Sequence, residues 1–162
     1  DVYKRQILLQ LGERKMNSDF CVAVHGMVYL NHKKCQLSSD ELADNICTNP
    51  ARVRKVMAKL KKKNLVLTKE GTVGGYSFQG DPSCVSLADI AEALDLKFVE
   101  TSWRSGSIDM DCLVASGMGD LMDEIFQDLN QDCLEKLSRI TIQDLDSRIF
   151  NCRKNSQQTD KE

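Results

Sequence analysis

The sequence predicts a mainly α-helical protein with one small β-hairpin and a long helix near its end. Three observations indicate this fold class. Apolar residues recur at helical spacing over 18–63, a strand, turn and strand pattern follows at 64–80, and a proline-free amphipathic stretch covers about 113–138. A chain of this length has room for one small core and a helical arm.

The first fifteen residues are left out of the fold prediction. Residues 1–6, DVYKRQ, resemble the translation of the end of a sequencing adapter, and residues 12–14 can be encoded by a purine run like a bacterial ribosome-binding site. We therefore expect residues 1–15 to be a non-native leader and the native chain to start at Met16.

Composition excludes several classes of protein. No apolar run is long enough to span a membrane, and no signal-peptide pattern is present, so we expect a cytoplasmic protein without a membrane partner. The seven cysteines contain no CxxC pair, so we expect no metal site and mostly buried, reduced thiols. No nucleophile–base, GxGxxG or Walker motif occurs, which predicts no catalytic residues and no enzyme activity.

Three helices are predicted in the first half. The first covers 18–31 with Ser18 as a possible N-cap, and its His25 is expected to be a packed or half-exposed histidine. The second starts at Ser38, where Glu41 completes a capping-box spacing. The third covers about 50–63, because Asn49 can cap it and Pro50 fits its first turn.

The third helix is strongly basic. Its predicted buried side holds four apolar residues, Val53, Val56, Met57 and Leu60, while residues 48–64 carry seven basic side chains and no acidic one. Two short helices joined by a tight link, the second basic, have the proportions of a helix-turn-helix, whose second helix lies in the DNA major groove.

A hairpin is predicted directly after this basic helix. Residues 65–67 form one strand, a loop runs from Gly71 to Gly75, and Tyr76 and Phe78 follow at period two. This hairpin is a candidate wing, and we interpret the Gly74–Gly75 pair as allowing close approach of backbone to DNA. Residues 16–95 are therefore predicted to form a winged helix-turn-helix domain, with a further short helix at 86–94.

The remaining chain is predicted to form a linker or sensor loop and a dimerisation helix over 96–150, then a disordered tail at 151–162. Residues 96–103 are read as a strand or an extended crossing segment, and Trp103 as a packing anchor. A helix over about 113–138 has more apolar face than a small domain can cover, so we expect a homodimer in which a second subunit covers it.

Charge favours nucleic acid as the partner. Residues 1–80 hold 14 Lys and Arg against 7 Asp and Glu, whereas residues 81–162 hold 8 against 17. A basic first half and an acidic second half indicate a polyanion-binding surface on the first half. The predicted partner is double-stranded DNA carrying a pseudo-palindromic operator, contacted by Ser39, Thr48, Asn49, Pro50, Arg52, Arg54, Lys55, Lys59, Lys62, Gly74, Gly75 and Tyr76.

These blocks together resemble the Rrf-type (Rrf-two) family of bacterial transcriptional regulators. The resemblance runs from Met16 to about Phe150 through SSDELADNICTNPARVRKVMAKLKKKNLV, the GGY wing, VSLADIAEAL and CLVASGMGDLMDEIF. It implies a homodimeric winged helix-turn-helix repressor, in a family that includes iron-sulfur-cluster sensors and a regulator of cysteine metabolism. Glu70 and Ser77 stand where family members often carry arginine, which weakens the expected reading of the minor groove by the wing.

The resemblance also places a sensor region before the long helix. Cluster-binding members carry three closely spaced cysteines there, whereas residues 103–118 of this chain contain one cysteine, Cys112. We therefore expect no cofactor, although a cluster shared between two subunits, or one that uses Asp109 and Asp111, is left open. Cys112 is the candidate sensor, because a thiol at a helix N-terminus is favoured as the reactive thiolate. The effector is predicted to be a redox, cysteine-related or small-molecule signal, or a partner enzyme.

A second hypothesis belongs to another class of function. Winged domains also bind proteins, and the acidic second half suits a basic protein partner, so the chain is alternatively a winged-helix interaction module without specific DNA binding.

Overall fold

The computed structural model describes the backbone of residues 2–71 and 74–156, and the side chains of residues 18–71 and 74–151. It contains six described helices and one two-stranded sheet. The elements are α1 (Val2–Lys33), α2 (Ser39–Ile46), α3 (Pro50–Lys62), β1 (Val66–Lys69), β2 (Gly75–Phe78), α4 (Leu87–Ala93), α5 (Leu113–Ser138) and α6 (Ile142–Ser156). This order confirms the predicted mainly α-helical fold with a hairpin wing.

Helix α1 is longer than predicted. It runs without a break through Ser18, which is therefore not its N-cap. The side chains of residues 1–17 lie outside the described residues, and the non-native leader over residues 1–15 stays a prediction.

The helix-turn-helix forms as its local sequence dictates. Ser38 and Glu41 make both hydrogen bonds of a capping box at the start of α2. Asn49 caps α3 by accepting a hydrogen bond from the Arg52 N–H at 2.8 Å. Between the two helices Cys47 adopts a left-handed conformation with φ of 59°, and the Thr48 N–H donates to the Ala43 carbonyl at 3.0 Å. This turn directs α3 away from α2.

The core lies where α1 meets the helix-turn-helix. Its fully buried side chains come from five helices and include Met27, Leu30, Leu42, Met57, Leu60, Ile90 and Ile142. The four predicted apolar positions of α3 are all buried. Burial of aliphatic side chains on this scale is the main stabilising term in such a small domain.

The wing is an antiparallel pair in which Val66 faces Phe78 and Lys69 faces Gly75. The sequence analysis missed a third extended segment: Leu37 pairs with Tyr76, and their N–H and C=O groups exchange hydrogen bonds at 2.9 and 2.8 Å. The wing is therefore anchored to the link between α1 and α2 rather than to β1 alone.

The end of the chain returns to the first unit. Backbone hydrogen bonds join Ile142 to Val85 and Leu87 to Ile140, and Ile142 is fully buried. Helix α6 continues to Ser156, past Phe150, so the first residues of the predicted disordered tail are helical; residues 157–162 lie outside the described residues. The predicted segment 96–150 thus contributes to the core of the winged domain.

None of the helices in the described part of the chain combines the length and the apolar character that a membrane span requires.

Candidate nucleic-acid interface

The basic side chains of α3 divide into an inward and an outward set. Arg52 belongs to the inward set: its Nε donates to Asp19 Oδ1 on α1 at 2.7 Å, it also bonds the Ser18 hydroxyl, and its side chain is 28% exposed. Lys59 is inward as well, since its Nζ donates to the Leu94 carbonyl at the end of α4 at 3.1 Å. Both were predicted to contact DNA, but the structure uses them to hold α3 against neighbouring helices.

The outward set keeps its charge at the surface. Arg54, Lys55 and Lys62 are exposed, together with Lys61 and Lys63. Lys55 lies at the margin, because its Nζ is 3.9 Å from Asp19 Oδ2 while its side chain remains 60% exposed. Since few acidic groups approach these cations, they form a continuous positive face along α3.

Arg54 joins the basic helix to two other predicted contact residues. Its Nη1 donates to the hydroxyl of Ser39, the first residue of α2, at 2.9 Å. The Arg54 charge also acts on the phenol of Tyr76 in β2: burial raises the pKa of Tyr76, and Arg54 opposes that rise. The structure therefore brings together Ser39, Arg54 and Tyr76 from three separate elements.

The start of α3 supplies further small polar groups. Asn49 is exposed, while Thr48 and Pro50 are half-buried beside it. The free N–H groups of a helix's first turn give this end a partial positive charge, which suits a phosphate. Thr48, Asn49 and Pro50 thus stand at the end of α3 that a recognition helix presents to DNA.

The wing glycines have a packing role within the fold, and the close approach to DNA predicted for them stays a prediction. A Cβ at Gly75 would lie 2.5 Å from the Leu37 carbonyl oxygen, and one at Gly74 would lie 2.5 Å from the Lys69 carbonyl oxygen. Side chains are therefore excluded at both positions by the protein's own backbone. The two glycines allow the three extended segments of the wing to pack closely. This packing is enough to explain why the sequence has glycine at both positions.

The predicted sensor region folds over the start of α5. Cys112 is the exposed N-cap residue of α5, and the N–H groups of Ala115 and Val114 lower the pKa of its thiol. Arg104 pairs with Asp120 and Asp123 on α5 and thereby holds this loop down. A lowered pKa increases the fraction of thiolate, the form that reacts with oxidants.

Two expectations about the exposure of side chains were wrong. Trp103 is 71% exposed, so it does not anchor packing within the chain. Of the six cysteines whose side chains the structure describes, five are exposed and Cys133 is half-buried, whereas the sequence analysis expected most to be buried. Their positions on outer helix faces and in loops, which composition does not reveal, explain the difference.

The comparison with protein families decides the assignment. The model of the Rrf2 family, described as an iron-dependent transcriptional regulator, matches residues 16–148. The chain belongs to the Rrf2 family. It is a winged helix-turn-helix transcriptional regulator, and the resemblance stated from the sequence is confirmed.

Several known transcriptional regulators match the chain over most of their length. YwnA of Bacillus subtilis strain 168, named as an HTH-type transcriptional regulator, is 27% identical over 135 residues, covering 83% of this chain and 99% of YwnA. A crystal structure of a transcriptional regulator from Lactobacillus plantarum has a TM-score of 0.70 at 22% identity and covers 85% of this chain and 97% of that one. The structure of CymR, the global cysteine regulator of B. subtilis, has a TM-score of 0.57 at 19% identity. The match covers 80% of this chain and 94% of CymR. These structures show the shared fold.

The Rrf2 description implies iron, and the donor side chains do not fit it. A cluster needs several thiolates that converge on the irons. The sensor region offers Cys112 alone, and among the described residues no group of three His, Cys, Asp or Glu side chains is placed to hold a metal ion. The described residues of one chain therefore provide no site for iron.

Sequence reasoning missed four residues that position the interface and the sensor loop: Asp19, Leu37, Arg104 and Asn130. Asn130 accepts hydrogen bonds from the N–H groups of Phe98 and Val99 and donates to the Val99 carbonyl, so it fastens the crossing segment to α5. A polar residue beside the apolar positions 126, 129 and 133 was a usable signal for Asn130. For the others, the partner is distant in sequence and left no local signal.

Proposed function

We propose that this chain is a homodimeric, sequence-specific DNA-binding repressor that reads its operator with α3. The observation that carries the proposal is the exposed cationic face of α3, where Arg54 donates a hydrogen bond to Ser39 of α2 and its charge acts on Tyr76 of β2. Members of the Rrf2 family are transcriptional regulators, which supports DNA as the partner.

The outward cations have distinct roles in this proposal. Arg54 stands near the beginning of α3, where a recognition helix reaches base edges, and its guanidinium suits the O6 and N7 acceptors of guanine. Lys62 stands at the far end and neutralises phosphate, as do Lys61 and Lys63. Phosphate contacts release counterions, so affinity falls as salt rises.

An exposed apolar stripe supports the homodimer. Four α5 residues at helical spacing, Val114, Leu121, Ile125 and Leu129, are 67, 52, 42 and 42% exposed. A soluble chain rarely leaves such a contiguous stripe in water, and the same stripe on a second copy is a suitable cover. Pairing of the two arms would place two α3 helices on a pseudo-palindromic operator.

The signal is proposed to act through Cys112. This thiol is exposed and has a lowered pKa, and Cys112 is the N-cap residue of the helix proposed as the dimer arm. Oxidation of the Cys112 thiolate by a peroxide, which gives the sulfenic acid and releases hydroxide, would change the start of α5 and so the spacing of the two recognition helices. The likeness to CymR, whose name describes a cysteine regulator, supports a thiol-linked signal.

Operator selection from random DNA, followed by fluorescence anisotropy, tests DNA reading. Arg54→Ala is expected to weaken operator binding by about 1 to 3 kcal/mol and to relax the preference at one base pair. Lys62→Ala should weaken binding to operator and random DNA alike, and Lys136→Ala, a change of an exposed lysine on α5, should leave both unchanged.

Two results would reject this function. Equal losses for Arg54→Ala on operator and random DNA would remove the base-reading role. Failure of the full chain to bind heparin at low salt would instead favour the winged-helix interaction module.

A further inference from the structure

A groove of about 750 Å³ lies between α1 and α6, on a different surface from the α3 face. Its apolar walls are aromatic and aliphatic, with Phe20, Val24, Tyr29, Leu145, Ile149 and Phe150 among them. Pockets that hold small organic ligands in proteins have volumes of about 300 to 1,000 Å³. The groove is therefore of the size that suits a small molecule.

Polar groups converge within these apolar walls. His32 stacks on Phe150 with ring centroids 4.3 Å apart, and its Nδ1 lies 3.8 Å from Asp146 Oδ1. Lys33 also lines the groove, with its Nζ 5.6 Å from the centre of the Tyr29 ring. An exposed cation beside an aromatic ring suits an aromatic anion, because the cation pairs with the charge and the aromatic wall offers a surface for the ring.

The polar groups favour a small ligand over a second copy of the chain. The exposed α5 stripe is apolar, so laying it in the groove would take the exposed Lys33 ammonium out of water without offering it an anionic partner. Burying unpaired polar and charged groups is costly. A ligand with one anionic end pairs with Lys33 and leaves the histidines their existing contacts.

We propose that the groove between α1 and α6 binds a small aromatic carboxylate. Its ring lies against Tyr29 and Phe150, and its carboxylate pairs with Lys33. The site is separate from Cys112 and from the outward face of α3.

Binding at this groove has a route to the helix-turn-helix. His25 lines the groove, and its Nε2 is 2.9 Å from Oδ1 of Asn45 on α2, so a ligand touching His25 acts on the contact between α1 and α2. This regulatory consequence rests on the proposed function, whereas binding itself does not depend on DNA.

Isothermal titration calorimetry on the full chain tests the site with indole-3-acetate as the probe. Its uncharged counterpart indole-3-ethanol has the same ring without the carboxylate. We expect one indole-3-acetate to bind per chain and indole-3-ethanol to bind at least about tenfold more weakly, because it lacks the charge-assisted contact to Lys33.

Matched variants locate the binding. Cys21 is exposed and lines the groove, so Cys21→Trp should fill it and abolish binding, while Cys84→Trp, at an exposed cysteine elsewhere, should not. Lys33→Ala should weaken indole-3-acetate binding about tenfold, and Lys61→Ala, an exposed lysine on α3, should leave it unchanged.

Three results would overturn the proposal: equal binding of both indoles, binding that survives Cys21→Trp, or no binding of indole-3-acetate. Protection of Cys21 but not Cys84 from iodoacetamide in the ligand-free protein would also reject it, because a second copy would then cover the groove. DNA binding is measured separately, so a DNA-binding protein that ignores both indoles refutes the site without refuting the proposed function.

Discussion

Arg52 and Arg54 are chemically identical and two positions apart, yet the structure gives them opposite roles. Successive residues of an α-helix are turned by about 100°, so positions two apart point to nearly opposite sides. Arg52 therefore faces Asp19 on α1, while Arg54 faces Ser39 and the surface. A basic residue in α3 is therefore a candidate DNA contact only if its side of the helix is exposed.

Replacing Arg52 tests its structural role. Asp19 is only 15% exposed, so Arg52→Ala leaves a largely buried carboxylate without its main partner and should lower the free energy of unfolding by about 1 to 3 kcal/mol. Urea denaturation measures this change. Lys61→Ala on the exposed side of α3 is the control and should stay near wild type; equal stability of the two variants would contradict the assignment.

At the scale of single elements, local caps set where the short helices begin. Glu41 accepts the Ser38 N–H at 2.7 Å, and the Ser38 hydroxyl accepts the Glu41 N–H at 3.2 Å. The backbone and hydroxyl groups of Ser38 lower the pKa of Glu41. The same box fixes the start of α2, where Ser39 meets Arg54.

The lowered pKa gives the Glu41 cap a dependence on pH. The carboxylate stabilises the folded state fully above the unfolded-state pKa, about 4.3 for glutamate, and this stabilisation is lost as pH falls through the lower folded-state pKa. Glu41→Gln should therefore be less stable than wild type near neutral pH and nearly equal to it in acid. Urea midpoints along a pH series check this, and a constant difference at every pH would contradict it.

The crossing segment depends on one side chain of α5. Asn130 bonds Phe98 and Val99, and Phe98 in turn meets Phe20 of α1 edge to face with ring centres 5.5 Å apart. The segment that precedes the sensor loop is thus tied to both α5 and the core.

Asn130→Ala should release this segment. The amides of Phe98 and Val99 lose their acceptor, so their hydrogen exchange should speed up by about an order of magnitude or more as local opening becomes easier. Gln131→Ala, at an exposed neighbour, is the control. Unchanged exchange at both amides in Asn130→Ala would show that the segment is held by other contacts.

At the scale of the whole molecule, α5 carries apolar surface that one chain does not cover. Its stripe at 114, 121, 125 and 129 is exposed, while positions 126, 133 and 137 turn toward the same chain. The helix therefore has one side against its own domain and a second side that is apolar and exposed, as the proposed homodimer requires.

A pair of equally exposed leucines tests the dimer. Leu121 on α5 and Leu67 in β1 are both 52% exposed. Leu121→Glu should convert the dimer to monomer in light scattering at micromolar concentration, because a charge would be buried in an apolar interface. Leu67→Glu introduces the same charge outside the stripe and should leave the dimer intact. A monomeric wild type, or a dimeric Leu121→Glu variant, would contradict the predicted interface.

Local sequence was sufficient to predict the short capped helices, the wing and the family. The signals for these elements act over a few residues, so a short stretch of sequence is enough to predict each one. They are the capping boxes at Ser38 and Ser86, the Asn49–Pro50 start of α3 and the alternation in the wing. The order of these blocks was enough to indicate an Rrf2 regulator, and the sequence also marked Cys112 and the basic residues of α3, where Arg52 and Arg54 received the same predicted role.

The tertiary structure shows which of the predicted side chains remain available for a contact outside the chain. Asp19 occupies Arg52, the Leu94 carbonyl occupies Lys59, and the Leu37 carbonyl fills the space beside Gly75. The groove between α1 and α6 likewise unites residues more than one hundred positions apart. Local sequence determines a helix and its apolar and polar faces, because the interactions involved are between residues close in sequence. The contact partner of a side chain across the fold depends on tertiary packing, which cannot be deduced from the residue type at one position.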